Sequence, residues 1–100
     1  MPADGHPQRL VLAADSAPAL ARHVKLHHDS SRDRWVILAP ERVYTPDQIA
    51  VAVLQLCDGR RSVDAIAAEL AQTYAAPKER ILVDVTTMLQ DLADKGVIIA

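Results

Sequence analysis

Proline at position 40 closes a short apolar run, Arg34 to Ala39, and a helix-start signal follows at Thr45. Few folds accommodate that spacing. In "RWVILA" the side chains of Trp35, Ile37 and Ala39 fall on one face and those of Val36 and Leu38 on the other, so the strand has apolar surface to cover on both sides, as a central strand does. Pro40 has no N–H for a ladder and ends the strand at a corner. Only Glu41 to Tyr44 then remain before the helix, enough for one very short third strand. Upstream, Val24, Leu26 and His28 alternate with His23, Lys25 and His27, the period of two of a half-buried strand. Asp29 to Asp33, "DSSRD", is a turn whose side chains bond their own backbone. The pattern predicts three short antiparallel strands with the shortest at the edge.

Helical signals follow. Thr45 is the expected N-cap, with Pro46 at the first helical position, Asp47 in the first turn and Gln48 completing a T-x-x-Q capping box. Ile49, Val53, Leu54 and Leu56 recur at helical spacing until Asp58-Gly59. Ser62 caps a second helix with the stripe Val63, Ile66, Ala67, Leu70 and Tyr74. A third runs from Pro77 to about Lys95, stopped by Gly96. Its apolar positions, among them Ile81, Leu82, Val85, Met88, Leu89 and Leu92, share an arc of roughly 140°, with Val83 opposite. "VIIA" adds a short final strand. The expected architecture is α+β: a three-stranded antiparallel sheet followed by a three-helix bundle, winged-helix-like.

At 100 residues the chain holds one domain. Residues 1–20, with Pro2, Pro7, Pro18 and Gly5, read as a flexible N-terminal segment, and residues 21–100 as the folded domain. Within the segment, Leu10 to Leu12 could dock on the domain or pair with a second copy, as the edge strand could, so a homodimer is one possible assembly. A formal charge of −2 gives no general attraction to nucleic acid or acidic membranes. The single cysteine, Cys57, excludes an internal disulfide and fits a reducing compartment. No apolar run approaches a membrane span or a signal-peptide core. A cytoplasmic location is expected.

Catalytic and cofactor signals are weak. His23 and His27 share a strand face about 13 Å apart, too far for one metal. Three glycines cannot build a phosphate loop, and no serine sits in a nucleophile elbow. No cofactor, metal or catalytic residue is expected. The second and third helices, joined at Ala75-Ala76, resemble a helix-turn-helix, which makes a winged-helix nucleic-acid-binding regulator the alternative reading. From Lys78 to Lys95, however, Lys78, Arg80 and Lys95 face four acids, Glu79, Asp84, Asp91 and Asp94, the wrong balance for a major groove. Arg60 and Arg61 make a small basic corner that a solvated loop explains. The remaining candidate is the edge strand, whose unpaired backbone can accept an extended peptide as an added strand.

Two segments carry a resemblance. "LAPE" (Leu38 to Glu41) and "LCDGRRSV" (Leu56 to Val63), spaced by one helix and followed by a long helix ending at Gly96, resemble the coenzyme PQQ synthesis protein D (PqqD) family over about residues 18–99. The resemblance implies a non-catalytic peptide chaperone of pyrroloquinoline quinone biosynthesis, a recognition element for a ribosomally made precursor peptide. It implies that the peptide adds as a strand beside the third strand, in a groove walled by the third helix. It also implies presentation to a radical S-adenosylmethionine enzyme that joins a glutamate to a tyrosine of the peptide. Carried onto this sequence, the edge is Glu41, Arg42, Val43 and Tyr44, with Val43 facing inward and Arg42 and Tyr44 flanking the peptide. Ile81, Val85, Met88 and Leu89 are the candidate groove wall. Periodicity alone leaves open which margin of that arc faces the peptide and which the core.

Overall fold

The computed structural model describes residues 9–100. Its elements in chain order are β1 (Ala19–Leu20), β2 (Lys25–Asp29), β3 (Arg34–Ala39), β4 (Arg42–Tyr44), α1 (Gln48–Gln55), α2 (Val63–Tyr74), α3 (Lys78–Asp94) and β5 (Ile98–Ile99). β2, β3 and β4 form the expected antiparallel meander in the order β2-β3-β4, while β1 pairs with β5 in a separate ribbon. Three helices follow the sheet as expected.

Local chemistry explains the boundaries. The β2–β3 turn closes on the Asp29 carboxylate, which accepts from the Ser31 N–H at 3.2 Å and the Ser31 hydroxyl at 2.8 Å. The β3–β4 turn takes one residue more than expected. Ala39 pairs with Arg42, so Pro40 and Glu41 are the two central residues, and Glu41 takes φ +62°. Glu41, expected in the strand, is therefore a turn residue, because the second central position after a proline favours positive φ. A side chain there costs about 1–2 kcal/mol, partly offset in a glycine variant by its looser unfolded chain. Glu41→Gly is expected to gain about 0.5–1 kcal/mol, a rise of roughly 2–8 °C in Tm. A thermal melt showing a fall would contradict this.

The first helix starts later than the capping-box pattern predicts. Asp47, not Thr45, is the N-cap of α1, and its Oδ1 accepts from the Ala50 N–H at 2.7 Å. A charged acceptor caps more strongly than a neutral hydroxyl. Ser62 caps α2 as expected, accepting from the Ala65 N–H at 3.0 Å. α3 ends where Gly96, at φ +80°, lets its N–H reach Ala93 O and the Val97 N–H reach Leu92 O, a Schellman closure that only a left-handed residue completes.

The core gathers Ile37 from the sheet, Val53 and Leu54 of α1, Val63, Ile66 and Leu70 of α2, and Val85, Leu89 and Leu92 of α3. Residues 9–20 differ from the expected flexible segment: Leu12 is buried in this core. The Gln90 amide accepts from the Leu12 N–H at 2.9 Å and donates to Leu10 O at 2.7 Å. Ser16 O and Ala14 O accept from the Val63 and Asp64 N–H groups, two of the donors a helix start leaves without partners. Arg9 forks onto Asp94 at 2.8 and 2.7 Å, which holds the carboxylate pKa of Asp94 down. Met1 to Gln8, the rest of the expected segment, lie outside the described residues.

Candidate functional site

Among the described residues β4 has a ladder partner on one side only, at the edge of the sheet. Its register is Ala39 with Arg42, Leu38 with Val43 and Ile37 with Tyr44. Pairs in an antiparallel ladder alternate between bonded and non-bonded, and the pair flanking a two-residue turn is bonded. Arg42 and Tyr44 therefore bond β3, and the N–H and C=O of Val43 point to the open side. The side chains reverse the expectation of an inward Val43. Tyr44 packs against the core cluster on the Ile37 face, whereas Val43 is 65% exposed on the opposite face beside Leu38. The turn fixes the parity, and a shift of one residue exchanges every side chain between faces. Tyr44 also links the strand to the end of α3: the Arg42 Nη1 donates to its hydroxyl at 3.5 Å, and Lys95 Nζ lies 6.0 Å from its ring centroid.

Three residues beyond β4 begins a groove of about 380 Å³. α1 contributes Asp47 at the rim with Ile49 and Val53, α2 contributes Leu70 and Tyr74, and α3 contributes Ile81, Asp84, Val85 and Met88. Its interior is apolar, and its carboxylates sit at the margin. Three of the expected wall residues, Ile81, Val85 and Met88, line it. Leu89 does not; it is 0% exposed in the core, one residue or 100° further around the helix than Met88. Ile49, which is 62% exposed, and Tyr74 both line the groove, although their spacing marked them only as members of apolar stripes. The stripe is wider than the core it serves, and nothing in a single helix's periodicity says where the core stops.

The remaining candidates separate in space. His23 precedes β2 instead of lying on it, and among the described residues no three His, Cys, Asp or Glu side chains group closely enough to hold a metal ion. His28 meets Asp33 at 3.2 Å and stacks obliquely on Trp35 at 5.1 Å, at the mouth of a polar cleft near the β2–β3 turn. The Cys57 thiol donates to Val53 O at 3.3 Å, and burial, reinforced by the Asp58 charge, pushes its pKa up to about 12. It stays protonated at neutral pH and is a poor nucleophile. No helix of the described residues is long and apolar enough to cross a membrane.

The family model described as coenzyme PQQ synthesis protein D (PqqD) matches residues 34–98. A PqqA binding protein of Bradyrhizobium diazoefficiens is 59% identical over 90 residues, which cover 90% of this chain and 87% of that protein. A PqqA binding protein of Rhizobium meliloti is 47% identical, covering 83% of this chain and 85% of that one. The solution structure of the PqqD portion of Methylobacterium extorquens PqqCD, described as a functional, stand-alone recognition element for ribosomally synthesized and post-translationally modified peptides, matches with a TM-score of 0.77. It has 44% identity to this chain and covers 89% of it and 95% of its own length. PqqD of Xanthomonas campestris matches at a TM-score of 0.53 and 44% identity, covering 84% of this chain and 93% of its own. With a family match over most of its length and relatives this close, the chain belongs to the PqqD family.

Proposed function

We propose that this protein is a non-catalytic carrier of the PqqA precursor peptide in pyrroloquinoline quinone biosynthesis. It holds the peptide as an added strand along β4 and presents it to the pathway's radical S-adenosylmethionine enzyme. The observation that carries the reading is a strand edge with no second ladder partner among the described residues, followed three residues on by the helix that helps line the apolar groove of Ile49, Ile81 and Met88, in a chain whose relatives bear the name PqqA binding protein. The edge supplies main-chain bonds and the groove supplies burial for alternate side chains of the guest. A carrier that passes its cargo on works at micromolar to submicromolar Kd, on the order of 8 to 10 kcal/mol, after subtracting the cost of ordering the peptide.

Nucleic-acid binding is the weaker reading on electrostatic grounds. Two of the three cations between Lys78 and Lys95 are already paired with carboxylates, Lys78 with Asp64 and Lys95 with Asp91. A phosphate backbone would have to displace those acids and meet the others on the helix.

The test is a titration of the isotopically labelled protein with synthetic PqqA peptide. Saturable amide shifts at Val43, Tyr44, Ile49 and Met88 are expected, with matching heat by calorimetry. A flat titration at millimolar peptide, or shifts confined to the opposite side of the molecule, would remove the proposal.

A further inference from the structure

The groove and the edge have unlike electrostatic ends. At the end of β4 nearest its turn stands Arg42, whose guanidinium touches the Tyr44 hydroxyl and has no carboxylate partner among the described residues. Lys95 Nζ lies 6.0 Å from the ring of that same Tyr44 but is paired with Asp91 at 2.8 Å. At the other end Asp47 and Asp84 rim the groove. Asp47 caps α1, while Asp84 is exposed and has no ion-pair partner among the described residues. Arg80, one helical turn before Asp84, is the nearest cation in sequence, and no ion pair joins the two. Between the two ends the lining is apolar.

From these placements we infer that the site selects a peptide by its charge order as well as by its apolar side chains, and so fixes the direction in which it lies. The inference rests on the peptide-carrier reading. A guest segment that fits presents an acidic side chain to Arg42 and a basic one to Asp84, with apolar side chains between them facing Ile49, Ile81 and Met88. The spacing follows from helix geometry. Lys95, beside Tyr44, and Asp84 are eleven residues apart on α3 and its cap, a rise of about 16 Å. An extended chain covers that in about five residues. In the antiparallel arrangement, the more stable of the two pairings, the guest runs against β4, so its basic residue precedes its acidic one. A guest of reversed charge order would set like charges at both ends, which is how a polar rim excludes wrong registers and wrong partners.

The experiment measures calorimetric affinity of the whole protein for synthetic PqqA peptide at low and high salt. The variants are Asp84→Lys, Arg42→Glu and the two together. Both positions are exposed, and circular dichroism of each variant confirms that the fold is kept. Each single reversal is expected to weaken binding on the order of five- to tenfold at low salt, with the difference shrinking at high salt. A peptide with its corresponding acidic and basic residues exchanged is expected to regain affinity for the double variant. Wild-type binding that both reversals leave within twofold at low salt would overturn the charge-order inference while leaving the carrier reading intact. Failure of the wild-type protein to bind the peptide at all would overturn the carrier reading, and this inference with it.

Discussion

Val43→Pro is expected to lower affinity for the PqqA peptide by roughly tenfold or more, with Val43→Ala staying within about twofold. The difference isolates the backbone. Val43 occupies the one position of β4 whose N–H and C=O are turned away from β3 by the register. Proline there removes the outward donor and places a ring where the guest carbonyl would lie. A peptide carbonyl left without a partner in a closed interface costs about 1–3 kcal/mol. The protein's own sheet is spared, because proline is tolerated on an edge strand when the missing N–H faces outward. Arg42→Pro is the contrasting variant. It removes a donor that β3 uses opposite Ala39, and it is expected to lower the melting temperature as well as the affinity. Calorimetry and thermal melts on the variants separate the two effects. Equal affinity of the proline and alanine variants at Val43 would mean that the peptide does not pair with this edge.

Leu89→Ala is the largest expected loss of stability among single changes in α3. Its side chain is 0% exposed, at the meeting point of the helices and the sheet. Truncating a fully buried leucine costs about 3 kcal/mol through lost transfer energy and the cavity left behind. A domain of this size has roughly 5–10 kcal/mol in all, so Tm should fall by about 12–24 °C. Met88→Ala, one residue earlier, acts differently. Met88 is half-buried at the groove, so its truncation should cost about 1 kcal/mol of stability and appear chiefly as weaker peptide binding. Thermal unfolding followed by helix signal, with peptide affinity measured at 15 °C, distinguishes the pair. An unaltered melting temperature for Leu89→Ala accompanied by lost binding would move Leu89 back into the groove wall.

These variants also mark the limit of what the amino-acid order conveyed. The two-faced run before Pro40, the serine cap of α2 and the glycine stop of α3 are local signals, and each appears in the structure where it was expected. Their causes lie within a few residues: a missing N–H, a hydroxyl aimed at a free donor, a left-handed φ. Thr45 does not cap α1, because Asp47, two residues on, offers a stronger acceptor in the same motif, a competition that composition does not rank. Glu41 lies in the turn instead of the strand, and the two-residue turn sets Val43 on the face away from the core.

The three-stranded meander, the three helices, the final strand and the shortness of the edge strand are legible in the residue order, since they follow from backbone sterics and side-chain period along one segment; β1 and its pairing with β5 are not. Long-range packing settles which margin of the α3 arc faces the core and which the groove, that Ile49 and Tyr74 line the groove, and that Leu12 sits in the core. Those outcomes depend on what covers each apolar side chain, and the covering surface comes from elements tens of residues away. Leu12 reaches the core where Gln90, on α3, bonds the Leu12 N–H and the Leu10 carbonyl, a partnership between positions 78 and 80 residues apart that no local pattern contains.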